Sequence, residues 1–120
     1  MLLQKVKARI ARKRRVRKKV KGDRQCPRLS VYISNRHIYA QVIDDVSGMT
    51  LAAVSSLSPE IRDQGKRTCN LDAAKKIGQL IADKCLSNNM NTVVFDRNCF
   101  LFHGRVKALA DEARASGLKF

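Results

Sequence analysis

Alternating apolar and polar positions predict three strands in the first half of the chain. Every second position is apolar over 29–33, which is the period of a strand with one buried face. The same alternation recurs over 37–43, and a third strand is predicted over 50–55. Residues 34–36 and residues 44–49, the latter centred on Ser47 and Gly48, supply the turns between them. Three strands joined by short turns form an antiparallel meander.

After residue 70 the spacing of apolar residues changes from that of a strand to that of a helix. Asn70 can cap the first turn of this helix, and Asn88 or Asn89 can end it in a left-handed turn. The segment 58–68, which is polar and contains a Pro and a Gly, is predicted to be a surface loop. The predicted buried stripe of the helix consists of Leu71, Ala74, Ile77, Gly78, Ile81 and Cys85.

A fourth strand and a last helix complete the pattern. Residues 92–95 are β-branched or aromatic without alternation, which predicts a strand buried on both faces and reached by a crossover connection. The last helix begins at Arg105 and stops at Gly117, and Leu118 and Phe120 should fold back on the core. Its inward residues are Val106, Leu109, Ala110 and Ala113. The order βββαβα predicts an α+β (mixed α/β) fold, with a four-stranded mixed sheet and helices packed on it.

The N-terminal segment is instead a basic arm. Residues 5–21 hold Lys or Arg at most positions and contain no acid, Gly or Pro. The 120-residue chain has a formal charge of +15, and residues 1–28 hold thirteen Lys and Arg against one acid. We expect residues 1–24 to form this arm and residues 25–120 to form one domain. Because like charges repel along a helix, the arm should be disordered alone and helical on a polyanion. Neutralising phosphates releases counterions, so this charge favours nucleic acid.

Membranes and import receptors are alternative partners for such an arm. Beyond Met1, Leu2 and Leu3, its apolar residues are small and few, whereas interfacial helices usually carry Trp, Phe or Leu. Transit peptides are rich in Ser, but no Ser or Thr precedes Ser30. No apolar run approaches the roughly 20 residues of a membrane span. We therefore expect a soluble protein with no membrane partner.

The cysteines predict free thiols. Cys26, Cys69, Cys85 and Cys99 form no C-x-x-C pair, and only two His residues could complete a zinc site. Four scattered reduced thiols fit a cytosol-like compartment. We expect no metal.

A catalytic function has little support in the sequence. Asp96, Arg97 and His103 fall in one loop after the fourth strand, but no second carboxylate cluster or partnered nucleophile accompanies them. A paired Asp and Arg more often fixes a loop, and a His before Gly104 more often caps the helix start. No Gly-rich phosphate cradle is present. We expect no enzyme activity, no cofactor and no small-molecule substrate.

Several stretches resemble one protein family. They are PRLSV at 27–31, RHIYAQVIDD at 36–45, VVFDR at 93–97 and HGRVKALADEARASGLKF at 103–120, behind a basic arm. Their order and spacing make the chain similar to the bacterial-type L18 family, the large-subunit ribosomal proteins that bind 5S ribosomal RNA. The resemblance spans 9–120.

The resemblance implies a structural role in translation. Members of the family have the βββαβα fold and anchor 5S ribosomal RNA to the large ribosomal RNA in the central protuberance, beside other 5S-binding ribosomal proteins. It implies a location in the ribosome, either in the bacterial cytoplasm or in an organelle.

The resemblance also implies RNA-contacting residues. The arm matches in character rather than position by position, whereas Arg36, His37, Tyr39 and Gln41 match a strand motif directly. The implied arm contacts are Arg9, Arg12, Lys13, Arg14, Arg15, Arg17, Lys18, Lys19 and Lys21. The implied domain contacts are Arg28, Ser34, Asn35, Arg36, His37, Tyr39, Gln41, Arg97, His103, Gly104 and Arg105.

The sequence departs from the family in the loop that follows Asp96 and Arg97. Asn98 and Cys99 stand where the family has a small residue and a Gly, and Phe102 replaces a common aromatic hydroxyl. Asn98 can adopt a left-handed conformation, and Cys99 does so less readily.

Some alternatives stay open at this point. Tyr39 could stack on an unpaired base or lie in the core beneath a helix. A DNA-binding architectural protein would also carry a basic arm, although no helix-turn-helix, zinc or heptad pattern occurs. An interaction module that uses the arm as a localisation signal is a third possibility. On the RNA interpretation, specificity is expected around 36–41 and 103–105.

Overall fold

The computed structural model describes residues 2–57 and 70–120, apart from the side chains of Arg17 and Lys19. The predicted loop at 58–68 and Cys69 lie outside the described residues. The elements are α1 (Leu2–Lys19), β1 (Arg28–Ile33), β2 (Ile38–Asp44), β3 (Met49–Ser55), α2 (Leu71–Ser87), β4 (Val94–Asp96) and α3 (Arg105–Ala115). The predicted βββαβα order is confirmed.

The four strands form one mixed sheet in the order β3-β2-β1-β4. β1 pairs antiparallel with β2, and β4 lies parallel to β1 with Leu29 opposite Phe95. The parallel neighbour requires the crossover that α2 provides. The fold is therefore α+β, as predicted. The strand predicted over 92–95 lies at Val94–Asp96, at the edge of the sheet. Thr92 is exposed, and Val94 and Phe95 are only partly buried, so the prediction of burial on both faces was wrong for these three residues.

The core lies between one face of the sheet and α2. Leu29, Val31, Ile38, Ala40 and Val42 are fully buried, so the alternation identified the inward face correctly. The buried residues of α2 are Ala73, Ala74, Ile77, Gly78, Ile81, Ala82 and Cys85. Leu71 was predicted to belong to this stripe, but it is 52% exposed because it occupies the first turn of the helix.

Helix ends are fixed as the sequence indicated. The Ala73 N–H donates to Asn70 Oδ1 at 2.8 Å, which caps α2. Asn89 adopts a left-handed φ of 61° after the last turn, and Gly117 adopts a φ of 115° after α3. Leu118 is buried and Phe120 packs against the core.

Helix α1 stands apart from this core. It is 18 residues long and contains no acid, and none of its described residues belongs to the buried cluster. The division of the chain into an arm and a domain stays a prediction.

Candidate nucleic-acid interface

The arm presents cationic side chains to solvent. Arg9, Arg14, Arg15 and Lys18 are exposed, whereas Arg12 and Lys13 are partly buried. The Arg12 Nε is buried without a hydrogen-bond partner among the described residues. Cations in the last turns also interact favourably with the negative end of the helix dipole. The arm therefore carries donors that an anionic ligand could satisfy.

The last turns of α1 face the domain across what we call the arm groove. This groove has a volume of about 590 Å³. Its lining consists of Arg12, Arg15, Val16, Lys18 and Val20 from the arm and Phe95, Arg97 and Leu101 from the domain. Arg97 also donates from Nη1 to the Phe100 carbonyl at 2.7 Å, so it stabilises its own loop. The groove is thus lined by both apolar and cationic side chains.

A second candidate surface, which we call the open face, lies on the side of the sheet away from α2. It consists of the outward residues Ser30, Tyr32, Ser34, Tyr39, Gln41 and Ile43, which with Asn98 line a depression of about 460 Å³. Tyr39 therefore does not lie beneath α2. Tyr32 is 50% exposed, and its ring centroid lies 6.1 Å from that of Tyr39 and 5.8 Å from that of Phe100.

The sequence reasoning missed Tyr32 and Phe100. The signal for Tyr32 was present, because the β1–β2 register places Tyr32 directly opposite Tyr39. No comparable signal existed for Phe100, because its position depends on the path of the loop after β4.

The β1–β2 turn divides its predicted contacts into two groups. Ser34 closes the turn: its Oγ donates to the His37 carbonyl and accepts from the His37 N–H, both at 3.1 Å. The His37 Nδ1 lies 3.0 Å from Ser56 Oγ. Asn35 and Arg36 at the tip of the turn are exposed. Ser34 and His37 thus shape the turn, and Asn35 and Arg36 project from it.

Arg28 lies in a different environment from the other predicted contacts. It is 8% exposed, and its Nη2 and Nε each donate to Asp45 at 2.9 Å. Its Nη1 donates to the fully buried Asp96 at 2.7 Å. The hydrogen bond to Asp45 raises the pKa of Arg28 further, although burial opposes that shift. Its guanidinium therefore already has two carboxylate partners.

The loop after β4 adopts the conformation expected of Asn98. This residue is buried with a left-handed φ of 61°, and its N–H donates to Asp96 Oδ1 at 2.8 Å. Asn98 thus takes the left-handed conformation that asparagine tolerates better than most residues.

The start of α3 forms a third predicted region. Gly104 is its N-cap residue, with a φ of 56°, and no side chain caps the helix, so His103 does not have the capping role considered above. His103, Gly104 and Arg105 are exposed and line neither the open face nor the arm groove. Apart from Arg28, the predicted contacts thus lie on the arm and its groove, on the open face with the β1–β2 turn, and at the start of α3.

The described residues show little sign of other chemistry. They contain no group of three His, Cys, Asp or Glu residues that could hold a metal ion. Cys26, Cys85 and Cys99 are free thiols, and burial raises the pKa of Cys85 to about 11, which keeps it protonated near neutral pH. In the same part of the chain, no helix is both long and apolar enough to span a bilayer.

Comparison with known proteins places the chain in a family. The model for "Ribosomal L18 of archaea, bacteria, mitoch. and chloroplast" matches residues 3–120. The chain is 56% identical to large ribosomal subunit protein uL18 of Geobacter metallireducens, over 99% of this chain and 98% of the relative. It is 53% identical to uL18 of Myxococcus xanthus, over 97% and 98%. The corresponding protein of Dictyoglomus turgidum is 57% identical, over 88% and 87%.

These relatives are bacterial, and the first two cover at least 97% of the chain, so the comparison concerns the arm as well as the domain. The chain belongs to the bacterial-type L18 family and is a structural constituent of the large ribosomal subunit in the cytoplasm.

Proposed function

We propose that this protein binds 5S ribosomal RNA and helps to anchor it to the large ribosomal RNA in the central protuberance, beside other 5S-binding ribosomal proteins. The observation that carries the proposal is the presence, in one small protein, of an acid-free cationic helix and of a sheet face that carries two tyrosine rings. Membership of the L18 family supports ribosomal RNA as the polyanion.

The arm supplies affinity without sequence preference. Its Arg and Lys side chains neutralise phosphates, and the release of counterions makes binding strongly dependent on salt. Arg also offers a planar fork to phosphate oxygens, which Lys does not. The exposed Arg9, Arg14, Arg15 and Lys18 are donors that a phosphate could reach.

The open face supplies selection among RNAs. Sequence-specific RNA recognition mostly uses unpaired bases, which stack on aromatic rings and form hydrogen bonds along their edges. Tyr32 and Tyr39 offer the rings, and Gln41 and the exposed Asn35 and Arg36 offer polar groups. Arg28 is not among the proposed contacts because Asp45 and Asp96 already engage it.

The start of α3 offers a third contact. His103, Gly104 and Arg105 are exposed, but they line neither of the other two surfaces. A protein that joins two RNA molecules needs separate contact regions. We therefore assign these residues to a second RNA segment.

The test compares 5S ribosomal RNA with duplex DNA of equal length by fluorescence anisotropy over a salt series. At about 150 mM salt, where charge interactions between exposed groups are largely screened, we expect the 5S RNA to bind more tightly. A scrambled RNA of the same length controls for single-stranded character. Equal affinity for the 5S RNA and the duplex DNA would contradict the proposal.

A further inference from the structure

We infer that Asp45, an acidic residue, is a positioning residue for RNA binding, because it fixes the direction in which the basic arm leaves the domain. The inference rests on the function proposed above. It extends that function to an acidic residue, whose negative charge alone would be expected to weaken binding to RNA. It is carried by the contacts of residues 22–28, which we call the elbow.

Two reciprocal hydrogen bonds hold the first residue of the elbow to Asp45. The Gly22 N–H donates to Asp45 Oδ2 at 2.7 Å, and the Asp45 N–H donates to the Gly22 carbonyl at 3.2 Å. Gly22 is buried, and a Cβ there would lie 2.2 Å from the Arg28 nitrogen. Only a glycine fits such a close approach of two backbone segments.

The rest of the elbow is held as well. Asp23 and Cys26 form a closed turn, since the Asp23 N–H donates to the Cys26 carbonyl at 3.0 Å and the Cys26 N–H donates to Asp23 Oδ1 at 2.7 Å. Arg28 joins Asp45 to Asp96 and thereby ties the elbow to β4. A bidentate hydrogen-bonded pair of a guanidinium and a carboxylate is strong and also has a fixed geometry.

Little freedom remains between the elbow and the arm. The Val20 N–H still donates to the Val16 carbonyl at 3.1 Å, so helical hydrogen bonding continues to Val20. Only Lys21 separates it from Gly22. The direction of α1 therefore depends on the elbow, and the elbow depends on the Asp45 carboxylate.

The decisive variant is Asp45→Asn, which removes the charge and keeps the shape. If the RNA-competent direction of the arm becomes about a tenth populated, apparent affinity for 5S ribosomal RNA falls about tenfold. The salt slope should stay unchanged, because the arm neutralises the same phosphates once it is bound. Electrostatics alone predicts the opposite sign, because the variant removes a negative charge from a protein that binds a polyanion.

The experiment measures binding of the full chain to 5S ribosomal RNA over a salt series, at a temperature where circular dichroism shows the protein folded. Asp83→Asn makes the same chemical change at an exposed position of α2 and should not weaken binding. Gly22→Ala should resemble Asp45→Asn. A merely structural role for Asp45 would lower the melting temperature and leave the affinity of the folded protein for 5S ribosomal RNA unchanged.

The possible outcomes separate this inference from the proposed function. Wild-type protein that shows no preference for 5S ribosomal RNA would overturn both. Wild-type protein that prefers it, with unchanged or tighter binding by Asp45→Asn, would overturn the inference alone. Amide exchange in the free wild-type protein gives a test that needs no variant: Gly22 should be protected from exchange, and free exchange there would overturn the inference.

Discussion

Tyr32 and Tyr39 face each other across the β1–β2 pair, and this contact holds both rings at the surface of the sheet. Cross-strand aromatic pairs stabilise a sheet modestly. Here the pair also leaves one ring half exposed on a face that the domain helices do not cover. An aromatic surface kept ordered by its own neighbours loses little side-chain entropy when a base stacks on it.

At the scale of the residue, Tyr39→Ala should weaken binding to 5S ribosomal RNA by about 1 to 3 kcal/mol, the range for loss of one base–aromatic stack. Tyr39→Phe keeps the ring and should bind nearly as well as the wild type. Anisotropy titrations with 5S and with random RNA measure both effects. Equal losses of affinity for the two RNAs after Tyr39→Ala would show that the open face does not discriminate between them.

The packing of α2 against α3 depends on one small residue. A Cβ at Gly78 would lie 2.3 Å from the Leu109 carbonyl oxygen, and the nitrogen of Ala113 would be 3.2 Å away. The helices therefore approach each other with no room for a side chain at this point. Because both sets of atoms belong to helix backbone, neither can move without shifting a helix.

Gly78→Ala should therefore destabilise the domain, by about 1 to 3 kcal/mol for overpacking, partly offset by the better helix propensity of Ala. Chemical denaturation measures the free energy of unfolding. Gln79→Ala, at an exposed position of the same helix, is the control and should change that free energy by less than about 0.5 kcal/mol. A Gly78→Ala variant as stable as the wild type would show that the two helices are less tightly packed than described.

The arm is the other element with its own prediction. None of its described residues contributes to the core, so removal of residues 1–21 should leave the melting temperature nearly unchanged and keep Gly22 in the elbow. The salt slope for RNA binding should fall by about 0.7 to 0.9 for each phosphate that is left without its Arg or Lys partner. Removal of Leu2, Leu3 and Gln4 alone takes away no charge and is the control. An unchanged slope after the longer deletion would mean that the arm is not the electrostatic anchor.

Local signals predicted most elements. The alternation in β1 and β2, the Asn70 cap and the left-handed stop at Asn89 depend on neighbouring residues alone, and each was found where the sequence indicated. Features that join distant segments were not predicted. The Arg28 pair with Asp96 spans 68 positions and Phe100 packs on Tyr32 only because of the loop path, so no local pattern marks either contact.

The whole molecule is asymmetric. α2 covers one side of the sheet and α3 packs against α2, the open face occupies the other side, and the arm carries most of the excess positive charge. The elbow connects the arm to the same strands that form the open face. This arrangement suits one RNA that contacts the arm through phosphates and the open face through bases.

A density map of large ribosomal subunits assembled with this protein tests that claim most directly. We expect 5S ribosomal RNA to contact α1 and the open face together, with the outer surface of α2 turned away from it. RNA bases should lie within stacking distance of Tyr32 or Tyr39. Density that places 5S ribosomal RNA against the outer surfaces of α2 and α3, with the open face bare or covered by protein, would show that the open face does not bind this RNA.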